Sequence, residues 1–252
     1  MNIPWKTAWI IGASSGLGAE ISKQLSEAGC KTYLSARRAD KLEELCSELG
    51  NAIPVPVDIT DRQECSNATN HIITEYGELP ELIIINAAIY APMNVETFDP
   101  QQIAKMMDVN YVGSANIIDK IIPHGNANKS VTLATVTSPS GWRGLPGGIG
   151  YGPSKAALIN MIESVTPEMR ERGFDMRLIN PGFIKTRLTE MNDFEMPQLM
   201  EPSDAAERAI HGLKSNKFDI AFPNPFILKL QFLRLLPYKL FFKITTGLLV
   251  KK

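Results

Sequence analysis

Tyr151 and Lys155 stand four residues apart in Tyr151-Gly152-Pro153-Ser154-Lys155, at the head of a helical pattern that continues to Arg172. The i, i+4 spacing puts both side chains on one helix face. Pro153 is tolerated in a first turn, where its missing N–H would have had no partner. A tyrosine ionises at about 10, so acid/base work near neutrality requires its pKa to fall by about three units, or roughly 4 kcal/mol. An ammonium about 4 Å away, at an effective dielectric of ~20, supplies an interaction of that size. The pair is not diagnostic alone, because about 0.4 chance Tyr-x-x-x-Lys matches are expected in a chain of this composition. Ser138 lies in Thr135-Val136-Thr137-Ser138-Pro139-Ser140-Gly141, just beyond a predicted strand. Its hydroxyl is suited to holding a carbonyl or alkoxide oxygen; on its own it reads as a turn residue.

A second constellation opens the chain. The apolar run Ala8 to Ile11 leads through Gly12-Ala13-Ser14-Ser15-Gly16-Leu17-Gly18 into a helical stretch from Ala19 to Ala28. Strand, glycine-rich turn and helix N-terminus together make an anion site, with free N–H groups and the positive end of the helix dipole facing the turn. A pyrophosphate suits it, and a merely structural tight turn is the plain alternative. The spacing Gly-x-x-x-Gly-x-Gly is neither the common dinucleotide fingerprint nor a P-loop. Gly12 to Gly16 is also a literal Gly-x-Ser-x-Gly, so a serine hydrolase with Ser14 as nucleophile competes. That reading needs a later acid and histidine, yet His71 and His211 fall on predicted helices and His124 follows a proline at a helix end. The three histidines show no metal-ligand spacing either. About 20 residues beyond the last glycine, Ser35-Ala36-Arg37-Arg38 occupies the place where an acid would hold an adenosine ribose 2′-hydroxyl. Ala36 leaves room there, and Arg37 with Arg38 can pair with a 2′-phosphate, favouring NADP(H) over NAD(H). Two solvated arginines at a helix start are the alternative.

These residues need a scaffold, and the pattern supplies one. Apolar runs at Ala8–Ile11, Thr32–Leu34, Ile53–Val57, Leu82–Ile85, Val131–Val136, Met176–Ile179 and Phe218–Phe222 alternate with helical stretches. Continuous apolarity in Leu82-Ile83-Ile84-Ile85 predicts a strand buried on both faces, hence a seven-stranded parallel sheet with helices on each side, a doubly wound Rossmann-type α/β fold. Helix boundaries are expected at Gly29, Gly50, Asp61, Gly77 and Ser203. At 252 residues the chain fits one α/β domain, expected over 1–225, with 226–252 as an extension. A net charge of −1 offers no global basic field for nucleic acid. Cys30, Cys46 and Cys65 form no Cys-x-x-Cys pair and read as reduced thiols. With no secretory pattern at the N-terminus and no membrane-length apolar run, a cytoplasmic protein is expected.

Taken together, these residues resemble the short-chain dehydrogenase/reductase family, and the likeness runs from Thr7 to about Ala221. The family's Thr-Gly-x-x-x-Gly-x-Gly turn is similar to Ile11 to Gly18, with Ile11 replacing the threonine. Its adenine-side aspartate matches Asp58 in Val57-Asp58-Ile59, and its Asn-Asn-Ala-Gly motif matches Ile85-Asn86-Ala87-Ala88 in part. Its mid-helix asparagine matches Asn110, its Ser, Tyr and Lys match Ser138, Tyr151 and Lys155, and its Pro-Gly-x-x-x-Thr matches Pro181-Gly182-Phe183-Ile184-Lys185-Thr186. The resemblance implies that Tyr151 is the acid/base, that Lys155 lowers its pKa and binds the nicotinamide ribose, that Ser138 orients the carbonyl and that Asn110 anchors a relay water. It implies NADP(H) contacts at Gly12, Ser14, Ser15, Gly16, Leu17 and Gly18, at Arg37, Arg38, Asp58, Ile59, Asn86 and Ala87, and at Tyr151, Lys155, Pro181, Gly182, Ile184 and Thr186. It also implies a homodimer or homotetramer, built through long helices expected at Gln101–Ile122 and Tyr151–Arg172. Ile11, Ile85 and Ala88 depart from the family pattern at positions that support the turn and the fourth strand.

Substrate choice is expected from Tyr90–Val95, from Gly141–Gly150 with Trp142, and from Phe183–Met200, which carries Met191, Phe194, Met196, Leu199 and Met200. These bulky apolar side chains favour a hydrophobic carbonyl or alcohol. From Ile220 to Lys252 there are six Lys/Arg and no Asp/Glu, leaving a net charge of −7 on the preceding residues. Three readings of this oily basic tail stand: packing or a lid on its own domain, a subunit interface, or a basic amphipathic surface on an anionic membrane. The expected function is an NADP(H)-dependent oxidoreductase, read as a reductase of a hydrophobic ketone or aldehyde. A catalytically idle NADP(H)-binding sensor or scaffold is the alternative.

Overall fold

The apolar runs become seven strands: β1 (Thr7–Ile11), β2 (Lys31–Ser35), β3 (Ala52–Pro54), β4 (Leu82–Ile85), β5 (Val131–Val136), β6 (Phe174–Pro181) and β7 (Asp219–Phe222). The structure, a computed structural model, describes residues 2–247 and 249. All pairings are parallel, in the order β3-β2-β1-β4-β5-β6-β7. Strand order reverses between β1 and β4, which opens a crevice at their carboxyl ends.

Alternation along β1 explains the two-sided core. Ala8 and Ile10 pack with Leu17, Ile21 and Leu25 of α1 (Gly16–Glu27) and with Ala205, Ala209 and Ile210 of α7 (Pro202–Leu213). Trp9 and Ile11 pack on the other side with Ile72 of α3 (Arg62–Tyr76), Ile117 of α5 (Gly113–Ile121) and Leu158 and Ile162 of α6 (Tyr151–Glu171). A strand buried on both faces has no polar side to show. The remaining helices are α2 (Ala39–Leu49), α4 (Pro100–Met107), α8 (Asn224–Leu235) and α9 (Tyr238–Thr246).

Most boundaries follow local chemistry. Asp61 caps α3 by accepting from the Gln63 and Glu64 N–H groups, and Gly50 and Gly77 close α2 and α3 in the left-handed region. β3 is shorter than expected, but the Val55 and Val57 N–H groups still donate to the Leu34 and Ala36 carbonyls at 2.8 and 3.1 Å, and Pro54 and Pro56 fall at alternate positions of this edge strand, where no ladder N–H is needed. α7 starts at Pro202, with Glu201 at its cap, not after Ser203. The single helix expected over Gln101–Ile122 is divided: a π-turn at Asp108–Val112 separates α4 from α5. Cys30, Cys46 and Cys65 are buried and unpaired. Burial pushes their thiols up to about 12, 11 and 11.

The segment from residue 226 on folds back against the rest of the chain. Its last part, residues 248 and 250–252, lies outside the described residues, as does Met1. Ile227, Leu233, Phe241 and Thr245 are buried, and Phe226 packs on Phe183 at 5.4 Å between ring centroids. Arg143 holds the hairpin's corner. Its Nη1 donates to the carbonyls of Leu233, Arg234 and Leu236 at 3.0, 2.9 and 2.6 Å, at the helix C-terminus where carbonyls run short of backbone donors. The same guanidinium lies 3.9 Å from the Phe241 ring centroid and 5.0 Å from that of Tyr238. Among the described residues, no helix is long and apolar enough to cross a membrane. Arg143→Ala removes charge-assisted bonds to half-buried carbonyls and should weaken the hairpin by about 2 kcal/mol. Amide hydrogen exchange would read this as faster exchange confined to α8 and α9, with the strands unaffected.

Candidate active site

The glycine-rich turn is shaped by how closely backbones approach. Gly12 has φ 90°, and a Cβ placed on it would lie 2.5 Å from the Ala87 nitrogen. A Cβ on Gly18 would lie 2.2 Å from the Gly12 oxygen. Asn86 fastens the same spot, its Nδ2 donating to the Gly12 carbonyl at 2.8 Å. Gly16 faces Thr186, whose Cγ2 stands 3.0 Å from where a Cβ would be. The turn, the end of β4 and the loop after β6 therefore meet around the N-terminus of α1. Ser15 at the α1 cap makes no side-chain capping bond, and the first turn, Gly16-Leu17-Gly18, has no acidic residue. Its N–H groups and the helix dipole suit an external anion such as a pyrophosphate.

At the end of β2 the two arginines separate. Arg38 lies across the turn, its Nη2 donating to Ser14 Oγ at 3.0 Å and to the Ser14 carbonyl and Ser15 Oγ at 3.4 Å each; Arg37 is exposed beside it. A guanidinium and two hydroxyls at the mouth of an anion site fit a further phosphate. Asp58 is held locally: its Oδ1 accepts from the Thr60 N–H at 2.9 Å and hydroxyl at 2.7 Å. Ile59 is buried, and its carbonyl accepts from Asn116 Nδ2 at 2.9 Å. Pro181 ends β6, and the Gly182 N–H donates to the Phe222 carbonyl at 2.7 Å. Ile184 is buried and bridges to Met200, which closes the 183–200 loop on itself.

Farther along the crevice, Ser138, Tyr151, Lys155 and Asn110 come together. Asn110 sits in the π-turn, fully buried, and clamps the loop after β4: its Oδ1 accepts from the Ile89 N–H at 2.8 Å and its Nδ2 donates to the Ile89 carbonyl at 3.0 Å. The same Nδ2 reaches Ser154 Oγ at 3.0 Å, tying the π-turn to α6. A π-turn widens the helix by one residue and commonly marks such a site. Tyr90 in the clamped loop packs edge-on against Tyr151, at 5.0 Å and 80°, and its hydroxyl donates to Asn192 Oδ1 at 2.7 Å. Ser138 Oγ accepts from the Ser140 N–H at 3.2 Å and lies 3.0 Å from Ser140 Oγ.

Burial governs the titration of this cluster. Lys155 is 1% exposed, with Nζ donating to the Val136 carbonyl at 2.9 Å and 5.6 Å from the Tyr151 ring centroid. Loss of solvent pushes its pKa down to about 8. Tyr151 is raised above the ordinary phenol value, chiefly by the same loss of solvent; a hydrogen bond with Ser138 opposes the rise and Tyr90 adds to it. The sequence arithmetic expected the ammonium to depress the phenol. Loss of solvent instead outweighs the one lowering contact, the hydrogen bond with Ser138, and the phenol rises.

Residues 6–196 match the family described as short chain dehydrogenase. The chain belongs to this family. An uncharacterized oxidoreductase of Myxococcus xanthus is 31% identical over 95% of this chain and 96% of its own length. A 3-oxoacyl-[acyl-carrier-protein] reductase, FabG, of Rickettsia bellii is 29% identical over 77% of this chain and 79% of its own. Among solved structures, a short chain dehydrogenase of Burkholderia cenocepacia in complex with NADP superposes with a TM-score of 0.84 at 22% identity, covering 100% of both chains. Other similar folds were solved with NADH or NAD. This short chain dehydrogenase is thus an oxidoreductase of the CH-OH/C=O class with a Rossmann-type fold.

The short chain dehydrogenase fold leaves the hydrolase reading without its parts. The Ser14 hydroxyl meets Arg38, while His71, His124 and His211 are exposed on α3, beyond α5 and on α7. Sequence reasoning also missed four positioning contacts: Ser140 on Ser138, Ser154 on Asn110, Asn192 on Tyr90, and the Val136 carbonyl under Lys155. Only Ser154 carried a signal, as a polar residue on the inward face of a helix.

Lys155 also leaves a mark on stability. Its pKa falls from an ordinary 10.5 to about 8 on folding. Across that window the unfolded chain binds more protons than the folded one, so this group's contribution to stability rises with pH there, and the buried ammonium costs most below pH 8. Thermal unfolding of wild type and Lys155→Met in parallel should show the wild-type midpoint gaining on the variant's as pH is raised through that window. A constant difference would mean that Lys155 titrates as an ordinary lysine.

Proposed function

We propose that this enzyme is an NADP(H)-dependent reductase of a hydrophobic ketone or aldehyde, with Ser138, Tyr151 and Lys155 at the reacting carbonyl. The observation that carries the reading is the meeting of Ser138, Tyr151 and Lys155 at one place in the crevice, with Tyr151 hydrogen-bonded to Ser138 and Lys155 Nζ 5.6 Å from the Tyr151 ring centroid. A bound nicotinamide supplies the hydride. Ser138 donates a hydrogen bond to the carbonyl oxygen, and Tyr151 gives that oxygen its proton as negative charge develops. Lys155, charged below about pH 8, places a cation behind the phenol and offers its remaining protons to a ribose hydroxyl. Asn110 is a positioning residue in this reading: its amide is already committed to Ile89 and Ser154.

Preference for the phosphorylated cofactor rests on Arg38 with Ser14 and Ser15, with Arg37 as an exposed second cation. An apolar substrate is supported by Met191, Phe194 and Leu199, each more than two-fifths exposed on the loop that passes Tyr90. The Phe194 ring packs on Phe183 at 5.7 Å, which keeps the loop's inner wall aromatic.

Two substitutions test separate parts of the reading. Tyr151→Phe should lower NADPH-dependent turnover of an aryl or alkyl ketone by about a thousandfold while NADPH titration by nicotinamide fluorescence stays within about twofold. Undiminished turnover would remove Tyr151 from the chemistry. Arg38→Ala should weaken NADPH binding by about tenfold or more and leave NADH binding unchanged. Equal losses for both cofactors would move the arginine from the 2′-phosphate to the turn itself.

A further inference from the structure

Packing covers only one side of α8 and of α9. In α8 the inward side holds Ile227 and Leu233, while Leu228, Phe232 and Leu235 are 63%, 65% and 81% exposed. At about 100° per residue these three fall within an arc of about 60°, opposite the buried side. α9 adds charge to the same theme. Phe241 and Thr245 point inward, and Lys239 and Lys243 stand one turn apart on the outward line. Tyr238 and Phe242 border that line on one side, Leu240 and Ile244 on the other, and all four are exposed. The charged residues of 224–246 are Lys229, Arg234, Lys239 and Lys243, without a single Asp or Glu. Arg143 is not part of this surface, since its guanidinium is turned to the α8 carbonyls and fixes the hairpin in place.

Exposed apolar rows of this kind are covered by a second copy of the chain or by lipid. On a two-fold axis this face would meet the same face of a second copy, which brings further cations and no carboxylate to answer them. An anionic headgroup layer answers Lys239 and Lys243 on the outward line of α9 and Lys229 at the border of the α8 face. Lysine stems flanked by aromatic and aliphatic side chains suit the boundary between headgroups and acyl chains, with the ammonium groups raised to the phosphates. We propose that the exposed apolar and lysine-bearing sides of α8 and α9 dock this enzyme on an anionic lipid surface.

Flotation of the full chain with vesicles tests this. With phosphatidylcholine containing about a third phosphatidylglycerol the protein should rise with the vesicles, with phosphatidylcholine alone it should not, and about 0.5 M sodium chloride should release it. Phe232→Glu with Leu235→Glu, and separately Lys239→Glu with Lys243→Glu, should each reduce the bound fraction about tenfold or more while keeping the wild-type unfolding midpoint. The two pairs alter different chemistries, so either decides the matter if the other does not fold. Absence of flotation with both vesicles overturns the proposal, as does flotation undiminished by both pairs. Sedimentation showing a dimer that the same substitutions dissociate, without vesicle binding, assigns the face to a second copy and overturns it too.

Discussion

Backbone contact between Gly12 and Ala87 is the constraint on which the site depends. β1 and β4 are neighbours in the sheet although β2 and β3 come between them in the chain, and their carboxyl ends meet with no room for a Cβ on Gly12. That approach aims the N-terminus of α1 and fixes where the loop after β4 begins. Three residues further on, the same loop presents Ile89 to the Asn110 amide and Tyr90 to the Tyr151 ring. A continuous run of contacts therefore joins the phosphate-sized end of the crevice to the hydroxyls at its other end. Packed elements of this sort hold geometry because neither partner can yield without opening a void.

Low polarity does the tuning at those hydroxyls. The environment that raises Tyr151 depresses Lys155, so the two move apart from one cause. The result at neutral pH is a protonated phenol beside a cation that is close to titrating.

Much of this was legible in the sequence because backbone geometry writes itself into residue types. Runs such as Leu82-Ile83-Ile84-Ile85 can only be strands covered on both sides, and glycines at 12, 16 and 18 mark close approach before any coordinates are known. The Ser138, Tyr151 and Lys155 grouping was visible from order and spacing. What stayed hidden depends on tertiary neighbours. The π-turn leaves polar and apolar residues at spacings of three and four on both sides of Asn110, so periodicity reads straight through it. The sign of the Tyr151 shift depends on how much solvent the fold removes, which no count of nearby charges supplies. The service of Arg143 to α8 spans about 90 residues and has no local signature.

Lys155 also bears on covalent labelling. An amine with a pKa of about 8 is roughly a tenth neutral at pH 7, a far larger fraction than an ordinary lysine carries. The burial that produces this nucleophile also shields it, at 1% exposure. Reactivity and inaccessibility thus come from the same protein wall, and bulky amine reagents will mark the surface lysines first. A small carbonyl or acyl electrophile that reaches the crevice would invert that order, so the labelling pattern itself reports whether the site is open.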